Sequence, residues 1–138
     1  MSNAIYCNEA LRDWQKEQSQ VNFEKLVATF PRCESADKTS FVNFAAGVDN
    51  TLICRFTGRM DSLTAQALES SLVELAKCLK TKVIFDIENV IFIASAFLRV
   101  CLVIAKLKGD GNFGVVNPCP NSLKVFMISG LDQLLIRD

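Results

Sequence analysis

Apolar positions along the chain follow a helical spacing before residue 40 and then switch back and forth between strand and helix spacings. In residues 8–30, Leu11, Trp14, Val21, Phe23, Leu26, Val27 and Phe30 recur at helical intervals and Pro31 stops any helix, which predicts one helix or two short ones. Residues 32–40 are polar and read as a connector. Residues 41–46 and 52–57 are short β-prone runs separated by Gly47, Asp49 and Asn50, the pattern of a hairpin. Asp61 or Ser62 then caps a helix whose Leu68, Leu72, Leu75 and Leu79 form one stripe. Residues 83–87 are almost continuously apolar, as in a central strand. Residues 90–93 lead into a mostly apolar helix with Ser95 as its N-cap, and that helix runs to about Lys108, where Gly109 provides a left-handed cap. A strand over 112–117, a turn at 118–121, a helix over 122–129 ended by Gly130, and a final edge strand over 134–137 complete the reading. This alternation predicts an α/β domain with helices packed on a mixed sheet of about four to five strands, covering residues 39–138. Residues 1–38 form an N-terminal helical extension and connector, which either packs on the domain or serves as a homodimerisation or partner arm.

Composition narrows what such a domain does. The 138 residues are 50% hydrophobic and 22% charged, the balance of a folded globular chain. Its 15 basic and 15 acidic residues leave no net charge, so the electrostatic footprint of a nucleic-acid binder is missing. With no histidine, the chain lacks the commonest general base, the Ser-His and Cys-His nucleophile pairs and every imidazole metal ligand. Its six cysteines, Cys7, Cys33, Cys54, Cys78, Cys101 and Cys119, lie 18 to 26 residues apart without a CxxC pair, which suits reduced thiols and neither a zinc site nor a disulfide framework. The polar stretch over residues 8–20 contains no secretory apolar core, and the apolar run over 90–105 is broken by Arg99 and shorter than the ~20 residues of a membrane span. A cytoplasmic protein is expected.

Candidate chemistry is sparse. A GxGxxG string occupies residues 109–114, but it follows a helix and opens a strand, the reverse of the order a dinucleotide site needs, and a C-cap with a tight turn accounts for it. Asp86 and Glu88 are spaced to share one face at the carboxyl end of a strand, where they are either solvated or part of a ligand site. No convincing acid and base pair emerges, so the expectation is a non-enzymatic protein with no metal and no cofactor.

Three segments in order are more informative: Phe56-Thr57-Gly58-Arg59-Met60-Asp61, the run KVIFDIENVIFIASAFLRVCLVIAK over 82–106, and Gly130-Leu131-Asp132. Together they resemble the STAS family of anti-sigma factor antagonists, SpoIIAA-like domains with a G-x-x-D before one helix, an apolar strand, a D-S-S-G-L or S-S-A-G-L-R helix start and a late G-L-D. The resemblance covers about residues 39–138. It implies a bacterial signal-transduction module that regulates transcription by partner switching. Such a module binds an anti-sigma factor or serine-kinase-like regulatory protein until phosphorylation of a serine at the helix start breaks the complex. A phosphate there adds about −2 charge beside a close partner surface.

The chain departs from this pattern at the helix start. Ala94 stands where the family has Asp or Ser, Ser95 matches the first serine, Ala96 stands at the usual phosphoacceptor, and Phe97 replaces glycine. Alanine has no hydroxyl to modify, leaving Ser95 as a fallback that an N-cap role would occupy. Phe97 is either an exposed anchor or a core residue, and Arg99 matches the arginine of the longer motif as a surface or partner contact. The expected binding surface comprises Asp61, Ala94, Ser95, Ala96, Phe97 and Arg99. The alternative is a nucleotide or small-molecule sensor using the same helix start as an anion site. A fixed subunit of a larger assembly is a third reading.

Overall fold

The computed structural model describes residues 9–136, so Cys7, Asn8 and Arg137, together with the Leu11 side chain, lie outside the described residues. The N-terminal pattern resolves into two helices, α1 (Glu9–Lys16) and α2 (Gln20–Ala28), broken where the Ser19 hydroxyl accepts from the Asn22 amide as an N-cap. Trp14 packs on Phe23 with ring centroids 5.1 Å apart, and Phe23, Leu26 and Val27 are buried in the same apolar cluster as the sheet. Gln20 latches the segment further: its amide donates to the Gly47 carbonyl and accepts from the Asn50 amide, both at 2.8 Å. Trp14, Phe23, Leu26 and Val27 of this extension are therefore covered by the chain's own fold, whereas Val21 stays exposed.

The polar connector is not wholly irregular. It contributes β1 (Cys33–Glu34), which pairs with β2 (Phe41–Ala46). The expected hairpin forms between β2 and β3 (Leu52–Met60), with Asp49 and Asn50 at positive φ in its turn. Then come α3 (Ser62–Cys78), β4 (Val83–Ile93), α4 (Ser95–Lys108), β5 (Phe113–Val116) and α5 (Pro120–Ile128). The five strands lie in sequence order, with β1, β2 and β3 antiparallel and β3, β4 and β5 parallel. Two successive crossovers stepping the same way across the sheet put α3 and α4 side by side on one face.

Strand β3 alternates strictly, burying Leu52, Cys54, Phe56 and Met60. Its neighbour β4 buries Val83, Phe85 and Ile87 in the same rhythm, then Val90 and Ile93 at intervals of three. Register explains the change: Arg55 pairs with Asp86 but Thr57 with Asn89, and Gly58 pairs with Val90 but Arg59 with Phe92, so β4 carries one extra residue at each of two bulges. A single strand thus runs through to Ile93, and Asp86 and Glu88 sit in its middle instead of at its carboxyl end.

Other boundaries move for local reasons. Pro120 takes the first turn of α5, where its missing amide hydrogen costs nothing, so the helix begins before residue 122. The expected final strand is reduced to a 3-10 turn over Asp132–Leu134 and a lone bridge between Leu135 and Val115. Gly109 does end α4, but at φ 81 and ψ 174, a conformation outside the left-handed helical region.

Candidate functional site

Two helix starts are brought together at the carboxyl ends of the central parallel strands. Met60 closes β3 and Asp61 follows it as the N-cap of α3, its carboxylate accepting from the Thr64 amide at 2.9 Å. In the neighbouring strand the chain leaves β4 at Ala94, whose amide donates to the Met60 carbonyl at 2.9 Å. That bond carries the ladder one residue past β4 and sets the start of α4 beside Asp61.

The two starts differ in chemistry. Hydrogen bonding from Thr64, assisted by the Arg59 charge, holds the Asp61 carboxyl below its ordinary value, so α3 begins with a fixed negative charge. By contrast, α4 has Ala94 as its N-cap and no side-chain acceptor, which corrects the expectation that Ser95 plays this part. Ser95 is the first residue of the helix and exposed, and Ala96 is half-buried. The amides of Ser95 and Ala96 precede the first turn's own hydrogen bonds, so this helix start is open to an incoming group.

Phe97 is not part of the accessible surface. Only 1% exposed, it packs edge-on against Phe56 at 5.2 Å and tilted against Phe85 at 6.2 Å. Its buried reading therefore holds, and its listing among surface contacts is corrected by the aromatic core beneath α4. Arg99, one turn along, is exposed and pairs with Glu69 of α3 at 2.6 Å, tying the two helices at their outer edge. The structure thus brings Asp61, Ala94, Ser95, Ala96 and Arg99 to one end of the α3 and α4 layer, with Phe97 below them.

Neighbours of this end escaped the sequence reading. Leu63 is 78% exposed in the first turn of α3, an apolar residue off the helix's buried stripe. Beside it lies a cavity of about 330 Å³ lined by Ser35, Asp37, Asp61 and Thr64, among others. The Ser35 hydroxyl and the Thr39 amide and hydroxyl hold Asp37 down to a pKa of about 2, adding a second carboxylate. At the second bulge, exposed Ile91 and half-exposed Phe92 face solvent consecutively, with the Arg59 guanidinium 4.5 Å above the Phe92 ring. Leu63 was visible as an apolar residue off the α3 stripe, whereas the outward phase of Ile91 and Phe92 depended on the bulges.

Other candidates serve the scaffold. Asp86 accepts from the Glu88 amide at 3.1 Å and from Asn117 at 3.2 Å and lies 3.8 Å from Arg55. The GxGxxG string forms the exit from α4 and the entry to β5, as its order requires. Among the described residues no group of three or more Cys, Asp or Glu is placed to hold a metal ion, and no helix is long and apolar enough to cross a membrane.

Comparison with known proteins gives a consistent outline. A STAS domain family model matches residues 45–137. The anti-sigma factor antagonist SpoIIAA in its unphosphorylated form has a similar fold, with 20% identity, a TM-score of 0.60, and coverage of 69% of this chain and 85% of that one. An anti-sigma factor antagonist from Mycobacterium paratuberculosis is 23% identical over 73% of this chain and 86% of its own, also at a TM-score of 0.60. The phosphorylated form of the Bacillus cell fate determinant SpoIIAA follows at 21% identity, 69% and 88% coverage and a TM-score of 0.54. No curated protein sequence matches. At these identities the structural likeness is one of fold.

Proposed function

Because the chain belongs to the STAS domain family, we propose that it is a cytoplasmic, non-enzymatic bacterial regulator that binds an anti-sigma factor or related serine-kinase-like regulatory protein. Binding takes place at the paired starts of α3 and α4. The observation that carries this reading is the uncapped start of α4, where Ala94, Ser95 and Ala96 keep side chains small beside the fixed charge of Asp61. Small residues allow a partner backbone close approach, and Leu63 adds an exposed apolar contact of the kind interfaces use. Solved anti-sigma factor antagonists of the same fold lend the partner class.

Ala96 cannot accept a phosphate, so the complex is not released by modification at that position. Ser95 is exposed and has no capping duty, and its hydroxyl is the nearest substitute. The nucleotide-sensor reading is weaker at this helix start, since Asp37 and Asp61 place two carboxylates in the adjoining cavity, where they repel phosphates.

The test is affinity capture from native lysate, identification of the bound protein, and titration of the purified pair. Capture of a serine-kinase-like regulatory protein, lost on Ala96→Asp and retained on Lys25→Glu at the exposed face of α2, is expected. With ATP present, Ala96→Ser should release the partner while the wild type holds it. A partner of another class refutes the assignment, as does indifference to Ala96→Asp. Phosphate mapped to Ser95 of the wild type refutes the constitutive complex.

A further inference from the structure

At the far end of α3, about 25 Å from Asp61 by helix rise, the chain concentrates a different chemistry. A cleft of about 380 Å³ opens between the last turns of α3 and α4, with Lys77, Lys80, Thr81, Lys108 and Asn112 in its lining and no carboxylate. Lys77 lies in the last turn of α3, whose negative end favours its charge, and among the described residues only Lys108 of the three lysines is hydrogen-bonded there. Lys108 donates to the Ala76 and Leu79 carbonyls, at 3.3 and 2.5 Å, and so meets the unpaired acceptors and negative end of α3.

Lys77 and Lys80 form no ion pair among the described residues, although the chain has as many acids as bases. Burial, added to by the nearby Lys80 charge, pushes the Lys108 ammonium below its ordinary pKa. Crowding like charges destabilises a fold unless something offsets them. A second unmet demand lies beside the first: the Thr81 hydroxyl is buried without a hydrogen-bond partner among the described residues. The Asn112 side-chain amide, which donates to the Lys108 carbonyl at 3.2 Å, supplies a further donor at the rim. Ammonium, hydroxyl and amide groups together match a ligand that is negatively charged and offers acceptor oxygens only.

We propose that this cleft is an anion site for the phosphate or diphosphate group of a small molecule or a lipid headgroup. Lys77 and Lys80 neutralise the charge, Thr81 turns its hydroxyl to a phosphate oxygen, and Lys108 divides its protons between the helix end and the ligand. The site is remote from the α4 start, and its occupancy does not depend on the partner assigned there.

Two probes distinguish the sources: inorganic pyrophosphate in solution and vesicles containing phosphatidic acid. Amide resonances of the full chain are followed during each titration. Saturable shifts over residues 77–82 and 106–112 with either probe are expected, weakening with added salt. Lys80→Glu should weaken binding at least tenfold. Thr81→Val should weaken it several-fold without lowering the thermal midpoint of the unliganded protein, since it removes a buried hydroxyl that lacks a partner among the described residues. Absence of saturable binding to both probes overturns the proposal. Shifts centred on residues 94–99, or an affinity untouched by Lys80→Glu, do the same.

Discussion

Replacing Phe97 by alanine separates a core role from a contact role at the start of α4. The ring is 1% exposed and forms a triad with Phe56 and Phe85, which lie 4.7 Å apart on neighbouring strands. Emptying such a site removes the transfer free energy of a buried benzyl group and leaves a cavity, at a cost of about 3–5 kcal/mol. Each lost edge or tilted ring contact is worth about 0.5–1.5 kcal/mol beyond area, placing the estimate toward the upper half of that range. Against a total of about 5–15 kcal/mol for an ordinary domain, this is a large fraction. Phe97→Leu keeps most of the volume and should cost less than about 1.5 kcal/mol. Urea unfolding followed by circular dichroism reads both variants, with the midpoint falling steeply for alanine and little for leucine. A loss below about 1 kcal/mol for Phe97→Ala refutes the reasoning. Combined with weaker partner binding, that result identifies Phe97 as an exposed anchor.

Asp61 stabilises through its ionised form, because its folded-state pKa lies below the ordinary 3.8. The stabilisation is complete above that value and is lost as pH falls through the lowered folded pKa. Asp61→Asn should therefore lower the urea midpoint at neutral pH and converge with the wild type in strong acid; a constant difference contradicts the capping account. Gly58 has φ +103, and an added Cβ would lie 2.6 Å from the Ser40 hydroxyl and 2.8 Å from the Thr39 carbonyl. Gly58→Ala should cost about 2 kcal/mol or more, whereas Gly111→Ala, with φ +80 but open space, should cost about 1 kcal/mol. Equal midpoints for the two variants in denaturant would be the contrary result. Thiol labelling should modify Cys119 ahead of Cys54 and Cys101, since Ser122 lowers its pKa, while burial raises those of the other two and shields them. Early labelling of either buried thiol, read by peptide mass, counts against the packing described.

Where local chemistry and periodicity agreed, the fold was legible in advance. The hairpin turn at Gly47 to Asn50, the leucine stripe of α3 and a cap at Asp61 or Ser62 needed no tertiary information, and the segments 56–61, 82–106 and 130–132 in order marked the family. Legibility failed where long-range pairing decides. Cys33–Glu34 becomes a strand only because β2 offers an edge, and two residues leave no periodicity to detect. In β4, two bulges shift the inward phase twice, so its alternation reads as a strand followed by something else. The candidate site was half legible: Asp61 and residues 94–99 were marked by motif, whereas Leu63 lay off its helix stripe without a motif and the consecutive outward pair Ile91 and Phe92 required the register. Ser95 was misplaced by one position because a serine is the better cap, and Ala94 holds that place through its backbone bond to Met60.

The two surplus residues of β4 are surface devices, since both lie where the strand turns consecutive side chains to solvent. Removing Ile91 would leave Gly58 opposite Val90 and Arg59 opposite Phe92 in plain alternation, with Val90 and Ile93 still inward. Such a deletion spares the core but erases the consecutive outward pair Ile91 and Phe92 and the extra local twist. Related chains with one residue fewer between Asp86 and Ala94 should therefore keep this fold and lose this apolar patch.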